Sequence, residues 1–279
     1  MRTRVITAIF IILITVPLCL FSHTVAWHCF VAAMIVMAVF EMLGCVGTRR
    51  KLAVALPALL MAAVFPFALR YCAAAYEVLL IFMIAMFVYL IYLFTLSVFS
   101  HGKLVLEDVF ATYATVFYIM ASFGALVMLR DREFGLYLVI LTLYGPWISD
   151  VFAYFCGRLF GRHKLIPDVS PKKTVEGAIG GVVFCALAAM LYGFILKTFI
   201  GEITSVSYLS LALIGVVIAV ISQIGDLIMS HIKRKYGIKD YGFILPGHGG
   251  ILDRFDSVLG VVPLVVILCE IFKGIQLFQ

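Results

Sequence analysis

Three polar side chains share one face of an apolar stretch that ends near residue 234. Asp226, Ser230 and Lys233 are spaced i, i+4 and i+7, so a helix aligns them, and Gln223 joins that face one turn earlier. A carboxylate near the end of a membrane helix is costly unless it is paired, hydrated or bound to a cation. Asp226 is therefore a candidate for metal chemistry, and the alternative is an interfacial side chain that reaches water.

A glycine-rich run follows this stretch. Three glycines and a proline surround His248 within residues 246–250, where a backbone with few side chains can approach a ligand closely. Backbone N–H groups that are exposed in such a run can bind phosphate. The run therefore predicts a phosphate-binding loop, and an ordinary surface loop is the alternative.

Two further carboxylates lie just beyond the glycines. Asp253 and Asp256 are three residues apart, so a helix that begins there would point them the same way. Together with Asp226 they would form an oxygen-rich set of the kind that Mg²⁺ prefers. The alternative is a loop in which a carboxylate caps the following helix.

A basic segment precedes another apolar stretch. Lys172 and Lys173 stand between Ser170 and Thr174, and a helix would start directly after them. Lysines, hydroxyls and a helix N-terminus together suit a polyphosphate. A hydroxyl followed by Glu176 also suits simple helix capping, and lysines at such a place can mark only the cytoplasmic side of a membrane.

Asp150 is an intramembrane carboxylate, two turns before the basic residue Arg158. Ionisable residues inside membrane helices are rare, and they are functional candidates by default. Asp150 therefore joins the candidate site.

The second half of the sequence resembles a known family. Residues 230–256 contain Ser-x-Ile-Lys-Arg, four residues, Lys-Asp-x-Gly and then Leu-Pro-x-His-Gly-Gly-Ile-x-Asp-Arg-Phe-Asp, which is similar to the signature of the phosphatidate cytidylyltransferases. The stretches 170–177 and 223–227 are also similar to patterns of that family, and the resemblance covers roughly residues 145–260. One departure is Val151, where the family pattern has Thr.

The resemblance implies an enzyme that makes CDP-diacylglycerol and pyrophosphate from CTP and phosphatidic acid, with Mg²⁺, alone or with a second cation, as cofactor. It implies that the metal is held by Asp226, Asp253 and Asp256. Catalytic roles fall to Asp226, Asp253, Lys233, Arg234, Lys239 and Arg254. Substrate-binding roles fall to Asp150, Ser170, Lys172, Lys173, Thr174, Glu176, Ser230, Asp240, His248, Gly249 and Gly250.

The amino-acid composition shows whether this chain is suited to water or to a lipid bilayer. Of its 279 residues, 65% are hydrophobic and 13% are charged, and the mean hydropathy is +1.16. A soluble domain is roughly half apolar and a quarter charged, and a globular interior of this size cannot bury so much apolar surface. Long unbroken apolar runs favour helices over a barrel. The sequence therefore predicts an all-α, polytopic integral membrane protein.

About nine transmembrane helices are expected, because a bilayer core of about 30 Å needs roughly 20 apolar residues in a helix. The N-terminal run is interpreted as a retained first helix and not as a signal peptide, since further spans follow directly. The nine candidate spans lie at about 5–22, 25–44, 52–69, 77–99, 108–129, 134–154, 175–196, 208–229 and 257–275.

Basic residues orient these spans. With a cytoplasmic N-terminus, sixteen of the 21 Lys and Arg fall on the cytoplasmic side, as the positive-inside rule favours. The sequence predicts membrane-embedded helices over 1–130 and a catalytic membrane domain over 131–279, with cytoplasmic loops at 155–174 and 230–256. The expected location is the inner membrane of a bacterium, with the active site facing the cytoplasm.

Two other classes of function stay open at this stage. A CTP-dependent lipid-alcohol kinase would share the general layout, but the full pattern of residues 230–256 argues against it. A transporter would also carry intramembrane carboxylates, but the sequence has no evident inverted repeat. The expected partners are the two substrates and the bilayer, without nucleic acid, and the assembly is open between a monomer and a homodimer.

Overall fold

The computed structural model describes residues 21–72, 75–244, 249–271 and 277–278. Within these ranges the chain forms long helices, one short helix and one β-hairpin. In chain order they are α1 (Val25–Val46), α2 (Leu52–Tyr71), α3 (Ala75–Phe99), α4 (Leu106–Arg130), α5 (Gly135–Phe160), β1 (Lys164–Ile166), β2 (Ser170–Thr174), α6 (Val175–Phe199), α7 (Tyr208–Lys235), α8 (Leu252–Phe255) and α9 (Val261–Ile271).

Seven of these helices, α1 to α7, are long and apolar enough to cross a membrane. They coincide with seven of the predicted spans, and the prediction of an all-α, polytopic membrane protein is confirmed. The predicted span 5–22 lies almost wholly outside the described residues. The predicted span 257–275 contains α9, which has 11 residues within the described part of the chain, and residues 272–275 of that span lie outside it.

Helix α3 exposes a contiguous face of apolar side chains. Its side chains Leu79, Leu80, Met83, Ile84 and Phe87 are each more than half exposed. Water would penalise such a contiguous apolar face, whereas lipid tails accept it without cost. The exposed face of α3 is therefore the surface expected of a lipid-facing helix.

Two helix ends and one connecting segment differ from the sequence-based expectation. Helix α5 continues to Phe160 although Pro146 lies inside it, and α7 continues to Lys235. Residues 164–174 form an antiparallel hairpin in place of an irregular loop. The turn of this hairpin closes with the Val169 N–H donating to the Ile166 carbonyl at 3.3 Å, around a Pro-Asp pair that is typical of such turns.

The first compact unit comprises Met1–Met128 and Tyr236–Phe255. Helix α1 ends at Gly47, whose φ of +84° is the left-handed conformation that glycine adopts at helix ends. The turn that follows is fixed by an ion pair of 2.7 Å between Lys51 and Asp108 at the start of α4. This contact joins the start of α2 to the first turn of α4.

The second compact unit comprises Leu129–Lys235 and Asp256–Gln279. Its helices α5, α6 and α7 cross closely because glycines stand at the crossings. A Cβ atom at Gly177 would lie 2.5 Å from the Ala153 carbonyl oxygen on α5, and one at Gly215 would lie 2.8 Å from Cα of Ala186 on α6. Small residues allow this approach between membrane helices, and larger ones would separate them.

Candidate active site

A cleft of about 410 Å³ lies in the second unit, among α5, the hairpin, α6 and α7. Ligand pockets in proteins occupy roughly 300–1,000 Å³, so the cleft suits a small molecule. Segments that are far apart in the sequence thus meet around one cavity. Six residues predicted from the sequence line it: Asp150, Ser170, Lys172, Lys173, Thr174 and Asp226.

One face of α5 forms a wall of this cleft. Asp150, Ala153, Tyr154, Gly157 and Arg158 follow the i, i+3, i+4, i+7, i+8 spacing of a helical face. Nη1 of Arg158 donates to the Tyr154 hydroxyl at 3.4 Å. The wall therefore adds a guanidinium, whose fork of donors suits phosphate oxygens.

Thr174 and Glu176 stabilise the hairpin and the start of α6. Thr174 is the N-cap of α6, and its Oγ1 accepts a hydrogen bond of 3.1 Å from the Gly177 N–H. Glu176 Oε1 accepts from the His163 backbone N–H at 3.2 Å and lies 2.6 Å from Nδ1 of the same residue. The capping alternative therefore applies to these two residues, and it fixes the strand that carries Lys173.

Lys173 and Asp226 form the central contact of the cleft. The Lys173 ammonium makes an ion pair with Asp226, which α7 presents from the opposite wall. One turn earlier on α7, Gln223 donates from Nε2 to the Ser149 hydroxyl at 3.2 Å and to the Ala178 carbonyl at 3.1 Å. Gln223 thereby ties α7 to both neighbouring helices and fixes the position of Asp226.

Asp256 joins these carboxylates from the segment that precedes α9. Its Oδ2 lies 3.8 Å from the Lys233 ammonium. The segment can approach α7 because Gly225 has no side chain, and a Cβ there would lie 3.1 Å from the Asp256 carbonyl oxygen. Burial raises the pKa of Asp256 to about 7, with the carboxylates of Asp226 and Asp150 adding to the shift and Lys233 opposing it.

The cluster has the donor chemistry of a divalent-cation site. Mg²⁺ is usually held by one or two carboxylates plus substrate phosphates, and Asp226 and Asp256 supply carboxylates whose charge Lys173 and Lys233 balance. Within the described ranges, no three His, Cys, Asp or Glu side chains are gathered closely enough to hold an ion by themselves. The residues therefore fit a cation to which phosphate oxygens also bind.

Asp253 belongs to the first unit, together with the glycines at 249 and 250. Asp253 Oδ2 accepts hydrogen bonds from the backbone N–H groups of Tyr241 at 2.8 Å and Gly250 at 3.0 Å. Gly249 has a φ of +86°, which glycine adopts without strain. Asp253 thus supports the loop, and the cation that it was expected to share with Asp226, a residue of the other unit, stays a prediction.

The other predicted site residues that the structure describes are not among the residues lining the cleft. Ser230 is half-buried on α7. His248 lies outside the described residues. The exposed members of the set are Arg234, Lys239, Asp240 and Arg254.

Sequence reasoning gave no role to eight residues that line the cleft, among them Tyr154, Gly157, Arg158 and Gln223. Tyr154, Gly157 and Arg158 could have been found by extending the helical face of Asp150, and Gln223 had been placed on the face of Asp226 without a role. Val151, the departure from the family pattern, is half exposed and is not among the lining residues.

Known proteins resemble this chain over most of its length. A phosphatidate cytidylyltransferase of Bacillus subtilis is 38% identical over 192 residues, which is 68% of this chain and 68% of the relative. Those of Staphylococcus saprophyticus and Thermotoga maritima are 43% and 39% identical over 145 and 147 residues, in each case 52% of this chain. These last two alignments span about half of the relative's length, 54% and 53%. The sequence profile of the Cytidylyltransferase family matches residues 2–272, and the chain belongs to that family.

Proposed function

We propose that this protein is a phosphatidate cytidylyltransferase. The phosphate of phosphatidic acid attacks the α-phosphorus of CTP, CDP-diacylglycerol forms, and pyrophosphate leaves. The observation that carries the proposal is the cleft of the second unit, where Arg158, Lys172 and Lys173 share one cavity with Asp150 and Asp226. The family of the chain and the names of its relatives support the same reaction.

The residues of the cleft suit the physical problem of this reaction. The nucleophile is already an anionic phosphate, so the main obstacles are the repulsion between two polyanions and the charge of the leaving pyrophosphate. Positioning and positive charge dominate such transfers. Arg158 and Lys172 bind phosphate oxygens of CTP, and Lys173 exchanges its partner Asp226 for a phosphate oxygen.

Mg²⁺, alone or with a second cation, fits the carboxylates of Asp226 and Asp256, and the signature adds Asp253 as an expected ligand. When bound, the cation would neutralise phosphate charge and stabilise the leaving group. Gln223 keeps Asp226 in position for this role through its bonds to α5 and α6. Lys233 balances the charge of Asp256 from α7.

Two differently labelled forms of CTP test the function. Purified protein in detergent is given phosphatidic acid, Mg²⁺ and CTP labelled on either the α- or the γ-phosphate. A cytidylyltransferase moves the α-label into the lipid fraction and releases the γ-label as pyrophosphate. A lipid-alcohol kinase moves the γ-label into an added lipid alcohol, and that result would replace the proposal.

The cleft is also proposed to face the cytoplasm of a bacterial inner membrane, and topology makes this testable. In a cysteine-free background, Asp168→Cys in the hairpin turn and Phe243→Cys in the loop of the first unit both replace exposed residues. We expect both introduced thiols to resist a membrane-impermeant thiol reagent in intact cells, because the basic residues around them stay inside.

Glu202→Cys is the matched control for this measurement. Glu202 is exposed in the connection between α6 and α7, at the opposite end of α6 from the hairpin. The thiol introduced there should react with the same reagent in intact cells. Labelling of the Asp168→Cys variant from outside, with the Glu202→Cys variant protected, would invert the topology and place the cleft on the other face.

A further inference from the structure

A carboxylate lies buried in a helix that otherwise carries no acidic residue. Glu41 stands in α1, a helix that can span the membrane, and only 2% of its surface is exposed. Charged side chains are almost never buried to this extent unless they are paired or hydrogen-bonded. Glu41 therefore needs a partner that offsets the cost of its burial.

The partners of Glu41 are two backbone N–H groups that directly follow the glycines at 249 and 250. Its Oε1 accepts from the Ile251 N–H at 3.0 Å, and its Oε2 accepts from the Leu252 N–H at 2.9 Å. Both oxygens are thus used on two consecutive peptide groups. Two hydrogen bonds from consecutive peptide groups to one buried side chain fix the backbone that leads into Asp253.

Two glycines, Gly242 and Gly250, leave the space that the Glu41 side chain fills. A Cβ atom at Gly242 or at Gly250 would lie within 3 Å of the Glu41 carboxylate. Gly250 also donates its N–H to Asp253 Oδ2 at 3.0 Å. Three consecutive backbone N–H groups, those of residues 250–252, are therefore bound by the side chains of Glu41 and Asp253.

We infer that Glu41 is a positioning residue of this enzyme: it holds residues 249–252 in the one conformation that presents Asp253 for catalysis. The inference rests on the proposed function, in which Asp253 serves the divalent cation. Glu41 touches no reacting atom, and it acts only through the loop. Residues that orient metal ligands typically contribute roughly 10- to 100-fold to metal affinity or activity.

The test compares Glu41→Gln with wild type in two independent measurements. Gln keeps the shape but has one acceptor oxygen for two N–H donors, so hydrogen exchange of the peptide 249–255 should become faster without any substrate present. The Mg²⁺ concentration for half-maximal cytidylyl transfer should rise by roughly 10- to 100-fold. Glu41→Asp, which keeps both oxygens on a shorter stem, should recover part of the loss.

Ile35→Ala is the matched control. Ile35 is fully buried on α1 about 9 Å along the helix from Glu41, so its truncation destabilises the same helix but leaves the Glu41 carboxylate and its two N–H donors in place. It should lower the melting temperature but leave the Mg²⁺ half-saturation and the exchange of 249–255 at wild-type values. If Ile35→Ala shifts both readouts as Glu41→Gln does, Glu41 is only a structural residue.

The space beside Glu41 that Gly250 leaves open allows a second, independent test. In wild type, Gly250→Ala should push the carboxylate off its donors and reproduce the effect of Glu41→Gln. In a Glu41→Ala background, the same Gly250→Ala change should add less than twofold, because the clash is gone. Additive effects, or unchanged exchange of 249–255 in Glu41→Gln, would overturn the inference. If wild type makes no CDP-diacylglycerol, the proposed function fails, while the exchange measurement still decides the role of Glu41 in the loop.

Discussion

Replacing Asp226 by Asn is expected to lower cytidylyl transfer by roughly 10²–10³-fold or more, the loss that follows removal of a single key electrostatic group from an active site. Asn keeps the size and hydrogen bonding of Asp but removes the charge that pairs with Lys173 and that would hold Mg²⁺. The rate is measured at saturating CTP and phosphatidic acid over a Mg²⁺ titration, on protein shown to be inserted and monodisperse.

Asp168→Asn is the matched control for this loss. Asp168 is an exposed carboxylate in the turn of the hairpin, so its replacement removes the same charge from the same unit but not from the cleft. It should keep nearly full activity. Normal turnover of Asp226→Asn at low Mg²⁺ would contradict a metal role and leave Asp226 as an interfacial carboxylate paired with Lys173.

A cation shared by Asp226 and Asp253 also predicts how the Asp253→Asn variant behaves. If Asp226 and Asp253 hold one ion, Asp253→Asn should be as inactive as Asp226→Asn, and the double variant should be no worse than either. Residues that act as one unit are strongly non-additive in this way. A modest loss in Asp253→Asn, with an unchanged Mg²⁺ requirement, would instead leave Asp253 only with its observed hydrogen bonds from the Tyr241 and Gly250 N–H groups.

The helices were predictable from the sequence, because in lipid the length and apolar composition of a run are sufficient to identify a helix. Spans such as 25–44 and 175–196 are close to α1 and α6, since an apolar run of about 20 residues in lipid satisfies its backbone only as a helix. The hairpin was not predicted, because strands of three and five residues are too short for alternation to be visible. The signal that could have found it is the Pro-Asp turn.

The cleft was predictable where its residues share a helical face or a signature, as with Asp150, Lys173 and Asp226. Glu41 was not predictable, because its partners Ile251 and Leu252 are 210 and 211 residues away and contribute only backbone N–H groups. A sequence does not show such a contact: peptide groups carry no residue identity. What the sequence does show is the space for it, in the form of Gly242 and Gly250.

Lys173→Ala is expected to reduce kcat/KM for CTP by roughly 100-fold, because a cation aimed at developing phosphate charge inside a cleft contributes far more than one on a surface. Lys172 provides the comparison, as the adjacent residue of the same strand: its side chain is exposed, whereas Lys173 is half-buried against Asp226. Lys172→Ala should therefore mainly raise the CTP requirement.

The double variant, Lys172→Ala with Lys173→Ala, decides between catalysis and topology for this segment. The variant should still insert and fold, because Lys172 is exposed and only Lys173 takes part in an ion pair, and it should need much more CTP than wild type. Excess CTP should restore the contribution of Lys172, which acts in binding, but not that of Lys173, which acts on the charge that develops as pyrophosphate leaves. Full activity at limiting CTP would mean that the two lysines only orient the chain in the membrane, and the strand β2 would then serve the cap at Thr174 and not the nucleotide.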